Sequence, residues 1–406
     1  MKSLLSVYTV YPVKISGVED MLRVCEKIGA DSHALAYLSP KSKINHIYVE
    51  RVDYRAANFL KQEMLSRGGD VAVAKHVIDG KTDYSDILIM GTDKQLSNLI
   101  EKMKSMNIWG IGELREKLLE VIRNVKAGKW EMISPNGRKI ILDDKTRLMA
   151  ILNLTPDSFF AGSRIDESGI IERAERFLVE GAYILDVGAE STRPGASPVS
   201  ESEEIQRLVP SLRLLRREFP DALISVDTYK AGTARISVEE GADIINDISG
   251  AAFDPDMAGA VTSLKIPYIL SHINGTPEGM ADKECGDEIL SELNRYFAGK
   301  LDIFSELREN VIIDPGLGFG KSSADNFEIL KNIESLKVFG RPLMIGHSRK
   351  RFTGGIAGTI WISALMSGKV SLMRVHDVSE NMKAVEIGKY ISHSRELPQD
   401  NSHQAD

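Results

Sequence analysis

Short apolar runs, each ending in a polar residue and each followed by a helical pattern, recur along the last two-thirds of this 406-residue chain. Strand candidates fall at 148–153, 183–188, 223–227, 243–248, 267–272, 311–314, 342–346 and 371–376. Between them, stretches such as 168–180, 201–218, 229–240, 287–307 and 378–390 carry apolar residues three and four apart, the period of a helix with one buried face. Val- and Ile-rich runs without alternation belong to strands covered on both faces, and eight βα units of this length make a barrel of about 250 residues. The spacing predicts an α/β fold, a (β/α)8 TIM barrel, preceded by a smaller α+β domain.

Upstream of the first barrel strand, 130–134 and 139–142 flank Pro135-Asn136-Gly137, a turn sequence that closes hairpins. This hairpin is expected to plug the bottom of the barrel. Residues 1–128 read as the α+β domain, with helices near 18–28, 54–67, 93–105 and 112–127 and strands near 4–10, 46–52, 71–78 and 86–90. Gly128 marks the linker, the barrel takes 129–392, and 393–406 form a polar tail. A net charge of −7, with Lys and Arg interspersed among Asp and Glu, argues against a general nucleic-acid surface, so phosphate binding must be local. The two cysteines, Cys25 and Cys285, have no metal-ligand spacing, which fits a reducing cytoplasm without disulfides or zinc. No apolar stretch approaches the ~20 residues of a membrane span, so the chain is expected to be soluble and free of the membrane.

Barrel enzymes act at the C-terminal ends of their strands, so polar residues there invite a functional reading. Asp227, Asn246 and Asp314 end strands three, four and six, where they could converge as acceptors and amides for a flat, nitrogen-rich ring; each Asp could instead cap the helix that follows. Arg193, Lys350, Arg374 and His376 bring positive or convertible charge from loops two, seven and eight, the last two of which often hold phosphate in such barrels. Arg374 and His376 alternate along a strand and face one side. Arg suits phosphate oxygens through its planar fork, and the apolar surroundings speak against a simple salt bridge at Arg374. In D-P-G-L-G-F-G-K the G-x-G-x-G spacing is wrong for a dinucleotide loop; Gly316, Gly318 and Gly320 allow sharp turns or a close backbone approach. His272 and His347 end strands five and seven and could ligate a metal, but the first strand offers Asn153 and Thr155 in place of an H-x-H pair. Asn153 suits a hard cation such as Mg²⁺, shared with substrate phosphates.

Taken together, N-L-T-P-D-S-F (from Asn153), E-S-T-R-P-G-A (from Glu190), D-P-G-L-G-F-G-K (from Asp314), S-R-K (from Ser348) and R-V-H-D-V (from Arg374) resemble the dihydropteroate synthase family, in that family's order, from about Ser134 to Ile391. The resemblance implies transfer of a pterinylmethyl group from 6-hydroxymethyl-7,8-dihydropterin diphosphate to p-aminobenzoate, with release of pyrophosphate. It implies that Asp227, Asn246, Asp314 and Lys350 hold the pterin, and that Asn153, Arg374 and His376 hold pyrophosphate and Mg²⁺. Thr192 and Arg193 would help close the second loop over diphosphate and acceptor. A homodimer through barrel helices is expected on the same ground alone.

The chain departs from the family pattern at three places. Ala161 stands where an Asp is common, Ser271 and Ile273 replace methionines beside the fifth strand, and His347 is larger than the residue usual there. These departures keep a catalytically silent pterin-binding protein in view. An acceptor carrying a phosphoribosyl group is the other alternative, with Arg351 to meet the added phosphate. The leading domain resembles an extension on longer family members, in K-Q-E-M-L-S-R-G-G-D-V-A-V (Lys61–Val73) and D-I-L-I-M-G-T-D-K-Q (Asp86–Gln95). Gly68 and Gly69 there read as a helix end.

Overall fold

The computed structural model describes residues 13, 15, 17–154, 160–161, 164–165, 167–190, 199–276 and 288–392. The chain divides into two compact units, Met1–Ile122 and Arg123–Asp406. The division lies inside the helix Ile111–Val125, upstream of Gly128, where composition puts the linker. The strand expected at 4–10 and the tail 393–406 lie outside the described residues.

In the leading unit, strands β1 (Ile44–Asp53), β2 (Asp70–Val73) and β3 (Tyr84–Thr92) form an antiparallel sheet in the order β1-β3-β2. Helices Tyr54–Leu65 and Asp93–Met103 supply Leu60, Met64, Leu96 and Leu99 to a core shared with Ile87 and Ile89 of β3. The two family-like motifs meet here. Gly69 and Gly91 flank Met64, whose methyl would lie 2.4 Å and 2.6 Å from a Cβ at either position. Thr92 and Gln95 form a capping box, and Gln95 Nε2 donates to Arg67 O at 3.0 Å. The main-chain N–H of Gly69 donates to Met64 O, so the Gly pair closes a helix as its sequence implied. Helix Ser32–Leu38 was not anticipated; it is short, and Asp31 caps it.

In the second unit, eight parallel strands run in the order β13-β12-β11-β10-β9-β6-β15-β14, and a bridge between Ile313 and Leu343 joins the two ends. They are β6 (Arg147–Asn153), β9 (Ile184–Gly188), β10 (Leu223–Asp227), β11 (Ile244–Asp247), β12 (Tyr268–Ser271), β13 (Val311–Asp314), β14 (Met344–Ile345) and β15 (Leu372–Val375). Helices such as Glu201–Glu218, Ile289–Ile303 and Ile356–Met366 lie between them in sequence. The expected TIM barrel is present.

Parity along each strand sorts the side chains into two populations. One residue per strand, from Met149, Ile184, Leu223, Ile244, Ile269, Ile312, Met344 and Leu372, points inward and builds an apolar layer at the N-terminal end. Met132, Ile140 and Leu142 of the hairpin β4 (Lys129–Ile133) and β5 (Lys139–Asp143) pack into that same layer, so the hairpin does close the bottom. Residues of the opposite parity, such as Leu185, Val187, Ile224 and Val226, form the core between barrel and helices. Two residues beyond the apolar layer, every strand presents the level on which the site is built.

Candidate active site

Counting two residues on from the apolar layer gives Ile151, Asp186, Ser225, Asn246, Ser271, Asp314, Gly346 and Arg374, and two further on β6, β9 and β10 gives Asn153, Gly188 and Asp227. A barrel packed with hydrocarbon below thus turns polar in a single step. The register pairs Asp227 with Asn246 and Gly188, Ser271 with Asp314, and Ser225 with Asp186.

Arg374 is the hub. Its Nε donates to Asp186 Oδ2 at 2.5 Å and its Nη2 to Asp227 Oδ2 at 2.5 Å. Asn246 Nδ2 donates to the same Asp186 oxygen at 3.3 Å. The expectation that apolar surroundings leave Arg374 without a carboxylate partner is therefore corrected: both partners project inward from strands remote in sequence. Burial works against the Arg374 charge, yet the combined attraction of Asp186 and Asp227 outweighs it and holds the guanidinium above its usual range. Burial pushes Asp227 up to about 7, with Arg374 opposing the shift and Asp186 adding to it.

Asp314 is buried and pushed up by that burial, against the main-chain N–H of Gly316, which reaches its Oδ1 at 2.9 Å. Ser271, one of the residues replacing a family methionine, lies with its Oγ 3.4 Å from Asp314 Oδ2. Lys350 Nζ sits 3.5 Å from the centre of the Phe319 ring, and its alkyl stem packs against Gly318, where a Cβ would meet Lys350 Cδ at 2.9 Å. Burial and the Arg374 charge pull Lys350 down to about 8, with Asp314 and Asp227 opposing. Asp314 and Arg374 feel each other's charge, so the acidic and basic sides belong to one site.

Asn153 and Asp227 flank Gly188: a Cβ there would lie 3.7 Å from Asn153 Oδ1 and 3.4 Å from Asp227 Cβ. His376 is half-buried just past the end of β15, its Nδ1 3.0 Å from Ser348 Oγ. The structure thus brings together Asn153, Asp227, Asn246, Asp314, Lys350 and Arg374, with His376 of the eighth loop held against Ser348 of the seventh. Thr192 and Arg193 lie outside the described residues, as do 155–159 of the first loop; the backbone of Ala161 pairs with Arg164 in a two-stranded ladder.

His272 and His347 have outward parity and face the helices. His272 packs edge-on against Tyr296, 4.7 Å between ring centres, and burial, aided by Lys321, lowers it to about 3. His347 is fully buried, with Nε2 2.8 Å from Ser363 Oγ, which places the unusually large residue behind the barrel wall. Gly316 and Gly320 have φ of +67° and +63°, and a Cβ would come 1.8 Å from His272 O and 2.0 Å from Asn274 O. The glycines therefore admit neighbouring backbone. Lys321 is buried and donates to the carbonyls of His272 and Gly316 at 3.1 Å and 2.9 Å, a structural use of the motif's last residue. Sequence reasoning passed over Asp186. Its signal was present, a lone carboxylate two residues from Ile184 inside an apolar run.

A closed floor, a polar set of carboxylates, amide, guanidinium and amine above it, and a mouth at the strand C-termini are the parts of a TIM-barrel enzyme site. A family model described as a pterin binding enzyme matches residues 149–376, more than half of the chain. A dihydropteroate synthase from Synechocystis sp. is 38% identical over 58% of this chain and 86% of its own length. A bifunctional dihydropteroate synthase/dihydropteroate reductase from Helicobacter pylori is 30% identical over 93% of this chain and 98% of its own length. A probable bifunctional folylpolyglutamate synthase/dihydropteroate synthase from Haloferax volcanii is 31% identical over 91% of this chain, which spans only 46% of that protein. Among solved structures, the Yersinia pestis dihydropteroate synthase in a sulfonamide drug complex aligns with a TM-score of 0.59 at 33% identity, covering 64% of this chain and 99% of that one. The Xanthomonas albilineans dihydropteroate synthase with 4-aminobenzoic acid gives 0.57 at 33% identity, with 64% and 99% covered. The chain belongs to the pterin-binding enzyme family, among its dihydropteroate synthases.

Proposed function

We propose that the chain condenses 6-hydroxymethyl-7,8-dihydropterin diphosphate with p-aminobenzoate, giving 7,8-dihydropteroate and pyrophosphate in folate biosynthesis. The observation that carries this reading is the convergence of Asp227, Asn246, Asp314, Lys350 and Arg374 at the C-terminal end of a barrel closed below. Carboxylates accept paired N–H groups of an aminopyrimidine, while Asn246 and Lys350 serve the remaining acceptors and donors of the ring. The pterin methylene C–O bond breaks, its electron pair leaves with pyrophosphate, and the amine nitrogen forms the new C–N bond and then loses a proton. An arylamine is nucleophilic when neutral, so the enzyme's main task is to fix positive charge and donors where the leaving group develops its charge. In this reading His376 serves that group, and Arg193 is assigned to it by the family resemblance alone. Asn153 contributes a single neutral oxygen to a hard cation, a donor set suited to Mg²⁺ arriving with the diphosphate.

Homodimerisation and a cytoplasmic setting belong to the same proposal. Two i, i+4 pairs, Trp361 with Leu365 and Ile387 with Ile391, form an exposed apolar ridge on adjoining helices Ile356–Met366 and Val378–Ser392. No helix among the described residues is long and apolar enough to cross a membrane. The test is pyrophosphate release by purified chain with pterin diphosphate, Mg²⁺ and either p-aminobenzoate or its phosphoribosylated counterpart. Turnover with p-aminobenzoate is expected; turnover with only the second amine moves the reading to that acceptor, and none with either makes the chain a binding protein.

A second activity has one observation in its favour: the relative named for both synthase and reductase is matched over nearly the whole of both chains, so the similarity includes the leading unit. The Haloferax relative also matches across that unit yet is named for a different second activity, so the leading unit alone does not select reduction. Incubating dihydropteroate with the chain and a reduced nicotinamide or flavin as hydride donor decides it. Formation of the tetrahydro product supports a bifunctional enzyme, and its absence removes that reading.

A further inference from the structure

The S-R-K segment that brings Lys350 to the site is tied to the following loop by contacts that the pterin reading does not use. Arg349 makes a bidentate pair with Asp377, Nε to Oδ2 at 3.0 Å and Nη2 to Oδ1 at 2.5 Å. One layer deeper, Ser363 Oγ donates to Asn381 Oδ1 at 2.6 Å and so accepts from His347 Nε2, while Asn381 Nδ2 donates to Asp377 O at 2.6 Å. Between these two straps lies Ser348. It is 6% exposed, its Oγ accepts the main-chain N–H of His376 at 3.2 Å, and the same oxygen is 3.0 Å from Nδ1 of the His376 ring.

Proton counting gives this contact a direction. A serine hydroxyl has one proton to donate and two lone pairs to accept. One lone pair already takes the His376 N–H. If Nδ1 carried a proton and donated it to the other lone pair, the hydroxyl proton of a buried serine would need a different acceptor, and among the described residues Ser348 reaches none. A buried donor without a partner is costly, whereas the reverse arrangement satisfies every group. We propose that Ser348 is a positioning residue for His376: it gives its hydroxyl proton to Nδ1 and so holds the neutral ring in the tautomer with the proton on Nε2. The same serine fixes the ring plane, since it grips both the backbone and the side chain of one residue.

The consequence concerns the leaving group. A neutral imidazole in the other tautomer would turn a lone pair toward diphosphate oxygens and repel them. With the proton on Nε2 it offers them a donor, without needing a positive charge. This step rests on the proposed role of His376 at the diphosphate, but the tautomer itself does not.

Full-length chain labelled with ¹⁵N at histidine tests both parts. The His376 ring signals are identified by their loss in His376→Gln. Wild type is expected to show a hydrogen-bonded, unprotonated Nδ1 and a protonated Nε2 in long-range ¹H–¹⁵N spectra. Ser348→Ala should shift Nδ1 toward a tautomer mixture, and Ser348→Thr, which keeps the hydroxyl, should restore the wild-type pattern. In kinetics, Ser348→Ala is expected to raise KM for the pterin diphosphate roughly tenfold, the worth of about one hydrogen bond, while affinity for the free pterin stays within twofold. Ser348→Gly gives the same readouts if the alanine variant fails to fold. A protonated Nδ1 in wild type, or an unchanged ring pattern in Ser348→Ala, overturns the proposal. So does an increase in KM confined to the arylamine. Absence of turnover in wild type sinks the transferase reading instead, and leaves the spectroscopic result to decide on Ser348.

Discussion

Arg374 sets the electrostatics of the polar level, because it neutralises two carboxylates that would otherwise sit buried side by side. Removing one partner of a buried ionic group costs about 3–5 kcal/mol, since charge is left without compensation. Arg374→Met is expected to lose stability on that scale in denaturant titration. Because Arg374 holds Asp227, it should also weaken binding of the free pterin as well as the diphosphate; loss confined to the diphosphate contradicts this. The pH dependence follows from Asp227 near 7 and Lys350 near 8. An ionised Asp227 and a protonated Lys350 coexist only in a narrow window, so kcat/KM for the pterin diphosphate is expected to form a bell with limbs near those values. For folding the sign is opposite. Asp227 is raised above its ordinary 3.8, so its contribution to the stability of the free protein is complete below about pH 4 and is lost as pH rises through 7. Melting curves with and without pterin should diverge across that interval, and parallel curves contradict the assignment. Asp227, Asn246, Asp314 and Lys350 were legible as polar residues closing apolar runs. The partners of Arg374 were not, because the pairings span 188 and 147 residues and only barrel closure brings them together. Asp186 was hidden by its place inside a strand, where an apolar run draws attention to its ends.

At the level of elements, the D-P-G-L-G-F-G-K loop makes the sharp turns and close backbone approach that its glycines imply, with φ positive at Gly316, Gly318 and Gly320. The room at Gly316 and Gly320 is taken by carbonyls of the loop after β12, and that at Gly318 by the stem of Lys350. Gly316→Ala would set a methyl group 1.8 Å from His272 O in a left-handed conformation, and Gly316 also supplies the N–H that holds Asp314. Strain of this kind costs on the order of 1–3 kcal/mol. The variant is expected to have a lower denaturation midpoint and pterin affinity reduced at least tenfold, measured by calorimetric titration; native affinity would show that the loop does not set Asp314. Period and parity made most elements legible: helix Glu201–Glu218 falls where its apolar spacing puts it, and β13 on its four-residue run. Short pieces were less so. β14 has only Met344 and Ile345 in the ladder, since Pro342 lacks a donor, and Ser32–Leu38 depends on a cap more than on a periodic face. The outward parity of His272 and His347 was countable in the sequence and would have excluded both from the mouth at once.

On the scale of the whole molecule, the ridge of Trp361, Leu365, Ile387 and Ile391 lies on helices that pack closely at Gly388, where a Cβ would meet Ala364 O at 2.1 Å. Trp361 is 71% exposed and Ile391 80%, more than a surface of scattered apolar residues requires. Trp361→Glu is expected to convert a dimer into a monomer in sedimentation velocity while leaving the fold intact; a wild-type monomer would rule out the interface. The hairpin beneath the barrel has its own effect on traffic. A well sealed by hydrocarbon at its foot can be filled and emptied only from above, so the molecule that sits deepest must arrive before, and depart after, whatever rests on top of it. For the proposed reaction the expected order is a queue, pterin first, arylamine second, pyrophosphate gone before the joined product backs out, and product-inhibition kinetics showing random binding would contradict it.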